Sequence, residues 1–114
     1  MERNQANLLQ GTLDLLILKA MGDGEFHGLG IARRVEQITG DTFKVRPGSL
    51  FPALHRMEAS GVIKSEWKRS ENGRRARYYA LTKSGMKRLS QEVKTWRQHT
   101  AAVAAFLDFA GGDA

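Results

Sequence analysis

The sequence predicts a mostly helical α+β fold, in which three helices precede a β-hairpin and one long helix follows it. Apolar residues recur at helical spacing in three segments between residues 8 and 59, the period changes to two after residue 61, and a helical seam follows from residue 86. The chain has 114 residues, of which 41% are hydrophobic and 26% are charged. These values are typical of one globular domain with a core of its own.

The first helix is predicted to run from Leu8 or Leu9 to Met21. In the run LLQGTLDLLILKAM the apolar residues lie on nearly all sides, which is typical of a helix surrounded by other elements. A glycine-rich segment then ends it. The polar residues 1–7 are expected to form a loose N-terminal tail.

Two shorter helices are predicted next. The second spans about Leu29 to Thr39, and its apolar face holds Ile31, Ala32, Val35 and Ile38. The third begins between Pro47 and Leu50, because a proline is tolerated in a first helical turn, and Ser49 is a reasonable N-cap. The core face of this third helix is predicted to hold Leu50, Ala53, Leu54 and Met57.

A β-hairpin is predicted between residues 63 and 81, and we call this hairpin the wing. The dipeptide Asn72-Gly73 between two alternating runs is a strong hairpin signal, since both central positions of a tight turn need a positive φ. A two-residue loop would place Trp67 opposite Tyr78. We therefore expect an aromatic pair on the core side of the wing and a cationic tip.

The last helix begins near Thr82 and reaches about Ala110, a length of about 43 Å at 1.5 Å per residue. Its apolar residues alternate spacings of three and four, as in a coiled coil. This seam consists of Met86, Leu89, Val93, Trp96, Thr100, Val103, Leu107 and Ala110. Such a helix is longer than a three-helix core can cover, so we expect a second copy of the chain to cover the rest in a homodimer.

Trp96 in this seam has two interpretations. It packs at the dimer interface as a large side chain, or it lines a flat cavity with its symmetry mate where a planar effector could stack. The sequence leaves both open.

Positive charge is concentrated between Lys44 and Arg77, where nine Lys and Arg face three Glu, while the rest of the chain is balanced at nine against nine. A helix followed by an arginine-tipped hairpin is the arrangement of a winged helix-turn-helix, which places its second helix in the major groove of duplex DNA. The net charge of +6 then supplies the sequence-independent part of binding. The predicted DNA-binding residues are Lys44, Arg46, Ser49, Phe51, His55, Arg56, Lys68, Arg69, Arg74, Arg75 and Arg77.

Other function classes find little support in the sequence. There is no cysteine, which excludes disulfides, thiolate zinc sites and cysteine nucleophiles. The three histidines show no metal-ligand spacing, and hydrolase or P-loop motifs are absent, so we expect no enzyme activity, no metal and no cofactor. The most apolar run is too short and too charged for a membrane span, and a cytoplasmic protein is expected.

Four blocks of the chain resemble the PadR family of bacterial transcriptional regulators: LLQGTLDLLILKAM, HGLGIARRVEQ, GSLFPALHRMEASGVIKSEW and GRRARYYALTKSG. The resemblance implies a winged-helix DNA-binding domain at residues 8–82, a C-terminal dimerisation helix at 83–110 and a flexible tail at 111–114. It also implies repression by operator binding and release by a small aromatic or drug-like effector. The chain is similar to the short branch of the family, with Phe51 where the family usually has tyrosine.

Two alternatives remain at this stage. The basic wing could dock on an acidic protein instead of DNA, which would make the chain a protein-interaction module. A drug-binding protein without DNA affinity is the weaker alternative, and it predicts quenching of Trp96 fluorescence by planar ligands. Arg33 and Arg34 are expected to be solvated in every case.

Overall fold

The computed structural model describes residues 2–22 and 24–109, with side chains from Gly11 onward, and confirms the mostly helical α+β fold. Along the chain, the elements are α1 (Glu2–Met21), β1 (Phe26–His27), α2 (Gly28–Ile38), α3 (Pro47–Ala59), β2 (Ile63–Arg69), β3 (Arg75–Leu81) and α4 (Lys83–Leu107). The strands form one antiparallel sheet in the order β1-β3-β2. The predicted tail at 111–114 lies outside the described residues. The last helix was predicted to reach about Ala110, but α4 ends at Leu107, with Asp108 as its C-cap.

The core forms where the C-terminal half of α1 meets α2, α3 and the inner end of the wing. Its largest fully buried side chains are Ile17, Leu18, Met21, Ile31, Leu50, Leu54 and Ile63. The four residues predicted for the core face of α3 are all buried. No polar or charged side chain is buried among the described residues. Apolar packing therefore supplies most of the stability of this core.

The helix α1 begins at Glu2, whereas the sequence predicted a start at Leu8 or Leu9 after a loose tail. Glu, Arg, Gln and Ala in this segment are good helix formers, and the prediction gave too much weight to the lack of apolar residues. Farther along, Leu13 and Leu16 are only partly buried against the core.

Local hydrogen bonding fixes the starts of α2 and α3. His27 caps α2, since its Nδ1 accepts a hydrogen bond from the backbone N–H of Gly30 at 3.0 Å. For α3 the N-cap is Arg46, and the prediction of Ser49 was wrong, because Pro47 takes the first helical position that suits its fixed φ. Ile38, predicted on the core face of α2, is 71% exposed because α2 ends there, beyond the core.

The wing forms as an antiparallel hairpin, but its register differs by one residue from the prediction. Trp67 lies opposite Arg77 and not opposite Tyr78. Beyond the last strand pair, the N–H of Ser70 still donates to the carbonyl of Arg74, so the loop that this bond closes has three residues, 71–73, and not two. Gly73 in this loop adopts a φ of +83°. A three-residue hairpin loop commonly ends in a left-handed residue, and the positive φ of Gly73 fits that pattern. The short strand β1, which the sequence analysis missed, pairs Phe26 with Tyr79 on the other edge of β3.

The long helix α4 is joined closely to the wing at its start. Thr82 caps it by accepting a hydrogen bond from the N–H of Gly85 at 3.0 Å, and the Thr82 hydroxyl donates to the carbonyl of Gly61 at 2.7 Å. Gly85 is buried against the backbone of Val62, where a Cβ would overlap the carbonyl oxygen. From Lys94 to Phe109 every residue is exposed in the single chain.

No helix within the described residues is long and apolar enough to cross a membrane.

Candidate nucleic-acid interface

One face of α3 is exposed beside the wing. Leu50 and Leu54 anchor the helix in the core, which leaves Ser49, Phe51 and His55 exposed on the other side. Phe51 is partly held in place, because its ring lies so close to Gly28 that a Cβ there would be 2.8 Å from the ring. These three side chains therefore project from a helix whose position is fixed by packing.

The start of α3 favours an anion. There is no acidic residue in its first turn, and no side chain caps its N-terminal N–H groups. The N-terminus of a helix carries a partial positive charge. Exposed Lys44 and Arg46 add full positive charges next to it, and the only ion pair that Lys44 makes within the described structure is a long one of 3.9 Å to Asp41.

The tip of the wing is a tight turn with an exposed arginine. The backbone N–H of Ser70 donates to the carbonyl of Arg74 at 2.7 Å, and the N–H of Gly73 donates to the carbonyl of Ser70 at 2.9 Å. These bonds order the backbone, while the Arg74 side chain stays exposed.

Below the tip, Arg69 lies directly opposite Arg75 in the strand register, and both are exposed. Two like charges at opposite positions of a hairpin are unfavourable for the fold. An anion bound beside them would remove that cost.

Trp67 lies under the arginines of the wing. The guanidinium carbon of Arg75 is 5.3 Å from the ring centroid of Trp67, and that of Arg77 is 5.7 Å away. Both distances allow cation–π attraction. The Trp67 side chain is 55% exposed, so the expected aromatic pair on the core side was wrong, and the indole instead supports the cationic surface.

Two of the predicted DNA-binding cations, although exposed, form close ion pairs with carboxylates of the chain itself. Arg56 makes a bidentate ion pair with Asp14 of α1, at 2.8 and 3.1 Å, and these hydrogen bonds raise the pKa of Arg56. Lys68 contacts Glu25 at 2.6 Å and Glu66 at 3.2 Å. The hydrogen bond between Lys68 and Glu25 raises the pKa of the lysine and lowers that of Glu25 below its ordinary value of 4.5.

Arg77 joins the wing to α3. Its Nε donates to the Ser65 hydroxyl at 2.7 Å, and its Nη2 lies 3.6 Å from Glu58 Oε2. Among the predicted DNA-binding lysines and arginines, those without a carboxylate partner within the described structure are therefore Arg46, Arg69, Arg74 and Arg75. They flank α3 at its start and line the outer part of the wing.

The predicted seam of α4 changes character along the helix. Leu89 and Val93 are half-buried, while Met86, Trp96, Thr100, Val103 and Leu107 are exposed in the single chain. Exposure is highest near the end, where Phe106 and Leu107 are 78% and 76% exposed. A contiguous apolar stripe of this kind is typical of an interaction surface.

Comparison with known proteins assigns the chain to a family. The model of the transcriptional regulator PadR-like family matches residues 17–91. This chain belongs to the PadR-like family of transcriptional regulators. PadR-family proteins are regulators of transcription, so the prediction that the chain is not an enzyme is confirmed by its family.

Relatives of this PadR-like chain share both sequence and fold. The transcriptional regulator Rv3488 of Mycobacterium tuberculosis is 34% identical over 97 residues, which cover 76% of this chain and 87% of that protein. A PadR-like transcriptional regulator from Bacillus cereus superposes with a TM-score of 0.78 at 28% identity, over 90% of this chain and 98% of that one. PadR from Bacillus subtilis, solved in complex with operator DNA, has a TM-score of 0.65 at 22% identity, over 72% of this chain and 46% of that one. The winged-helix prediction is thereby confirmed.

Sequence reasoning missed the residues that support the PadR-type wing from below. Glu58 and Ser65 carry no motif of their own, and only their positions in the fold bring them to Arg77. Asp14 could have been identified from the sequence, since it is an acidic residue within an apolar helix. A carboxylate in such a helix is expected to pair with a cation or a hydrogen-bond donor.

Proposed function

We propose that this chain binds double-stranded DNA as a homodimer and represses transcription from the promoters it occupies. In this proposal α3 enters the major groove with Ser49, Phe51 and His55 toward the base edges. Phosphates are contacted by Lys44 and Arg46 at the start of the helix. The wing follows the adjacent backbone with Arg69, Arg74 and Arg75.

One observation carries the proposal more than any other. Arg69 and Arg75 lie opposite each other, exposed, with Arg74 at the tip beyond them. Three arginines at neighbouring positions of the wing, without carboxylate partners within the described structure, cost the fold free energy, and binding of a phosphate backbone would offset that cost. The fold of Bacillus subtilis PadR, which was solved with operator DNA, supports the same use of this architecture.

The role of each predicted cation is refined by its surroundings. We assign Arg56 to the anchoring of α3 on α1, since its guanidinium already binds both carboxylate oxygens of Asp14. Lys68 is assigned to the attachment of the wing to the loop at Glu25. Neither is proposed as a principal phosphate contact.

The homodimer is proposed on the apolar stripe of α4. Val103, Phe106 and Leu107 are exposed in the single chain, and burial against a second copy would remove their apolar area from water. Two-fold symmetry would then place two α3 helices about 34 Å apart, one turn of the duplex, on a pseudo-palindromic site.

Repression is the simpler mode of regulation, because a bound dimer excludes other proteins from the same DNA without any further contact. Release by a small aromatic effector remains part of the proposal. Trp96, 46% exposed in the apolar stripe of α4, supplies a planar surface on which such a ligand would stack.

The test is a binding titration with the double variant Arg69→Gln with Arg74→Gln on a duplex from upstream of the protein's own gene. We expect weaker binding to specific and random duplexes alike, and a slope of log K against log salt reduced by about two. The matched control, Lys83→Gln with Lys87→Gln, removes the same charge from exposed positions of α4 and should change both quantities little. Equal losses in the two double variants would mean that net charge, and not the wing, carries the binding. Tight binding of an acidic protein without any DNA affinity would favour the protein-interaction alternative.

A further inference from the structure

We propose that Glu58 is a positioning residue that fixes the angle of the wing relative to α3 and so determines how tightly the protein holds DNA. The inference rests on the proposed function, because it assumes that α3 and the wing bind one duplex together. Glu58 is acidic and lies next to the proposed DNA-binding surface, yet we propose that it strengthens DNA binding.

The contacts of Glu58 connect three elements. Its Oε2 accepts a hydrogen bond from the hydroxyl of Ser65 in β2 at 2.6 Å. That hydroxyl oxygen accepts a hydrogen bond from Nε of Arg77 in β3 at 2.7 Å, and Nη2 of Arg77 lies 3.6 Å from the same Glu58 oxygen. The result is a closed triangle of polar contacts between α3 and both strands of the wing.

Little else holds the outer part of the wing against α3. Ile63 and Tyr79 are buried at its inner end, but beyond them the side chains are exposed or half-exposed. A small cavity of about 160 Å³ lies between α3 and the sheet, bordered by Glu58 and Arg77 together with Phe51, His55 and Tyr79. Because this space is not filled by apolar packing, the polar triangle is the link that holds this part of the wing to α3, while the Lys68–Glu25 ion pair and the β1–β3 pairing attach the wing to residues 25–27.

The position of Arg77 is passed on to the outer wing through Trp67. Arg77 and Arg75 both lie over the Trp67 ring, at 5.7 and 5.3 Å from its centroid. A displaced Arg77 would remove one of the two cations that contact the Trp67 ring, so the ring and the Arg75 side chain on it could shift as well. Glu58 therefore acts on the DNA contacts through Arg77 and not by touching DNA.

The sign of the effect separates positioning from simple electrostatics. If Glu58 acted only through its charge, its removal would raise the affinity for DNA, since one negative charge near the phosphates would be gone. If Glu58 positions the wing, Glu58→Ala lowers the affinity for the specific duplex by about tenfold, the effect of losing a hydrogen bond to a charged group.

Three further substitutions complete the test, and two of them, Glu58→Gln and Glu71→Ala, change the charge in the same way as Glu58→Ala. Glu58→Gln keeps a side-chain acceptor for Ser65, so we expect it to bind between Glu58→Ala and the wild type. Glu71→Ala removes a carboxylate at the exposed turn of the wing, where it makes no hydrogen bond or ion pair to any described residue, and should bind at least as tightly as the wild type. Ser65→Ala breaks the triangle from the strand and should weaken binding in the same way as Glu58→Ala.

A double-mutant cycle with Arg74→Gln gives a readout that mere loss of stability would not produce. When the wing is already misdirected by Glu58→Ala, the additional loss from Arg74→Gln should be much smaller than in the wild-type background. Thermal unfolding of each variant shows whether the fold is intact at the binding temperature. Glu58→Gln, with its close match in size, keeps the test valid if Glu58→Ala fails to fold.

Each outcome decides the proposal. Weaker binding by Glu58→Ala and Ser65→Ala, undiminished binding by Glu71→Ala and a non-additive cycle support it. Equal or tighter binding by Glu58→Ala, or full additivity with Arg74→Gln, overturns it while the proposed function stands. Failure of the wild type to bind any duplex removes the proposed function and this inference with it.

Discussion

The replacement Gly85→Ala tests the junction between α4 and the wing most severely. Helix propensity alone predicts that alanine would stabilise α4 by about 1 kcal/mol, since glycine is a poor helix former. The structure predicts the opposite sign. A Cβ at this position would overlap the carbonyl oxygen of Val62 and lie 3.0 Å from its carbonyl carbon and 3.3 Å from a methyl group of Leu81.

The magnitude follows from what has to move. The carbonyl of Val62 also accepts a hydrogen bond from the N–H of Thr82 at 3.1 Å, so α4 cannot shift without stretching its own attachment. Overpacking against such a rigid neighbour costs about 2 to 3 kcal/mol. For a chain of this size the melting temperature should fall by about 8 to 15 °C.

Calorimetry or circular dichroism of the purified variant measures this fall, and both proteins are compared at one concentration, because the melting temperature of the proposed dimer would depend on concentration. Gly48→Ala is the matched control, since a Cβ there meets nothing within 4 Å, and its melting temperature should stay close to that of the wild type. An unchanged or higher melting temperature for Gly85→Ala would refute the close approach of α4 to Val62.

Two further predictions concern the apolar stripe of α4 and the ion pair between Lys68 and Glu25. The double variant Val103→Asp with Leu107→Asp places charges in the exposed apolar stripe, so sedimentation should show a monomer. Its DNA affinity should fall by well over tenfold, because the two half-sites are no longer bound by one linked molecule. A dimer of undiminished stability would contradict the proposed interface. The hydrogen bond from Lys68 lowers the pKa of Glu25 in the folded protein. The ion pair therefore contributes to stability above about pH 4.5, and this contribution is lost as the pH falls through the folded-state pKa of Glu25. In an NMR titration the Glu25 midpoint should lie below 4.5 and rise in Lys68→Met, and equal midpoints in the two proteins would argue against the ion pair.

The helical spacing of apolar residues predicted most of the fold, because the burial of those residues determines which face of each helix meets the core. Leu50 and Leu54 had to face the core, and the exposed face of α3 followed from their positions. The same reasoning could not determine the register of the wing. Asn72-Gly73 is compatible with both a two-residue and a three-residue loop, and the outer wing has no buried face that would penalise a slip of one residue.

The candidate site was predicted as a set of cations, but the sequence does not show which of them are already neutralised. Arg56 and Lys68 looked equivalent to Arg74 until the fold brought Asp14 and Glu25 to them from more than 40 positions away in the chain. Local patterns do not contain such long-range pairs. The supporting role of Trp67 was hidden for the same reason, since it depends on the register.

Hydroxyl-radical footprinting of the wild-type protein on the DNA upstream of its own gene tests the central claim most directly. Two α3 helices related by two-fold symmetry predict two protected segments whose centres are about 34 Å apart along the duplex, with extra protection where the wings lie. A single protected segment would contradict the dimeric arrangement, and uniform weak protection of every sequence would contradict specific recognition by α3.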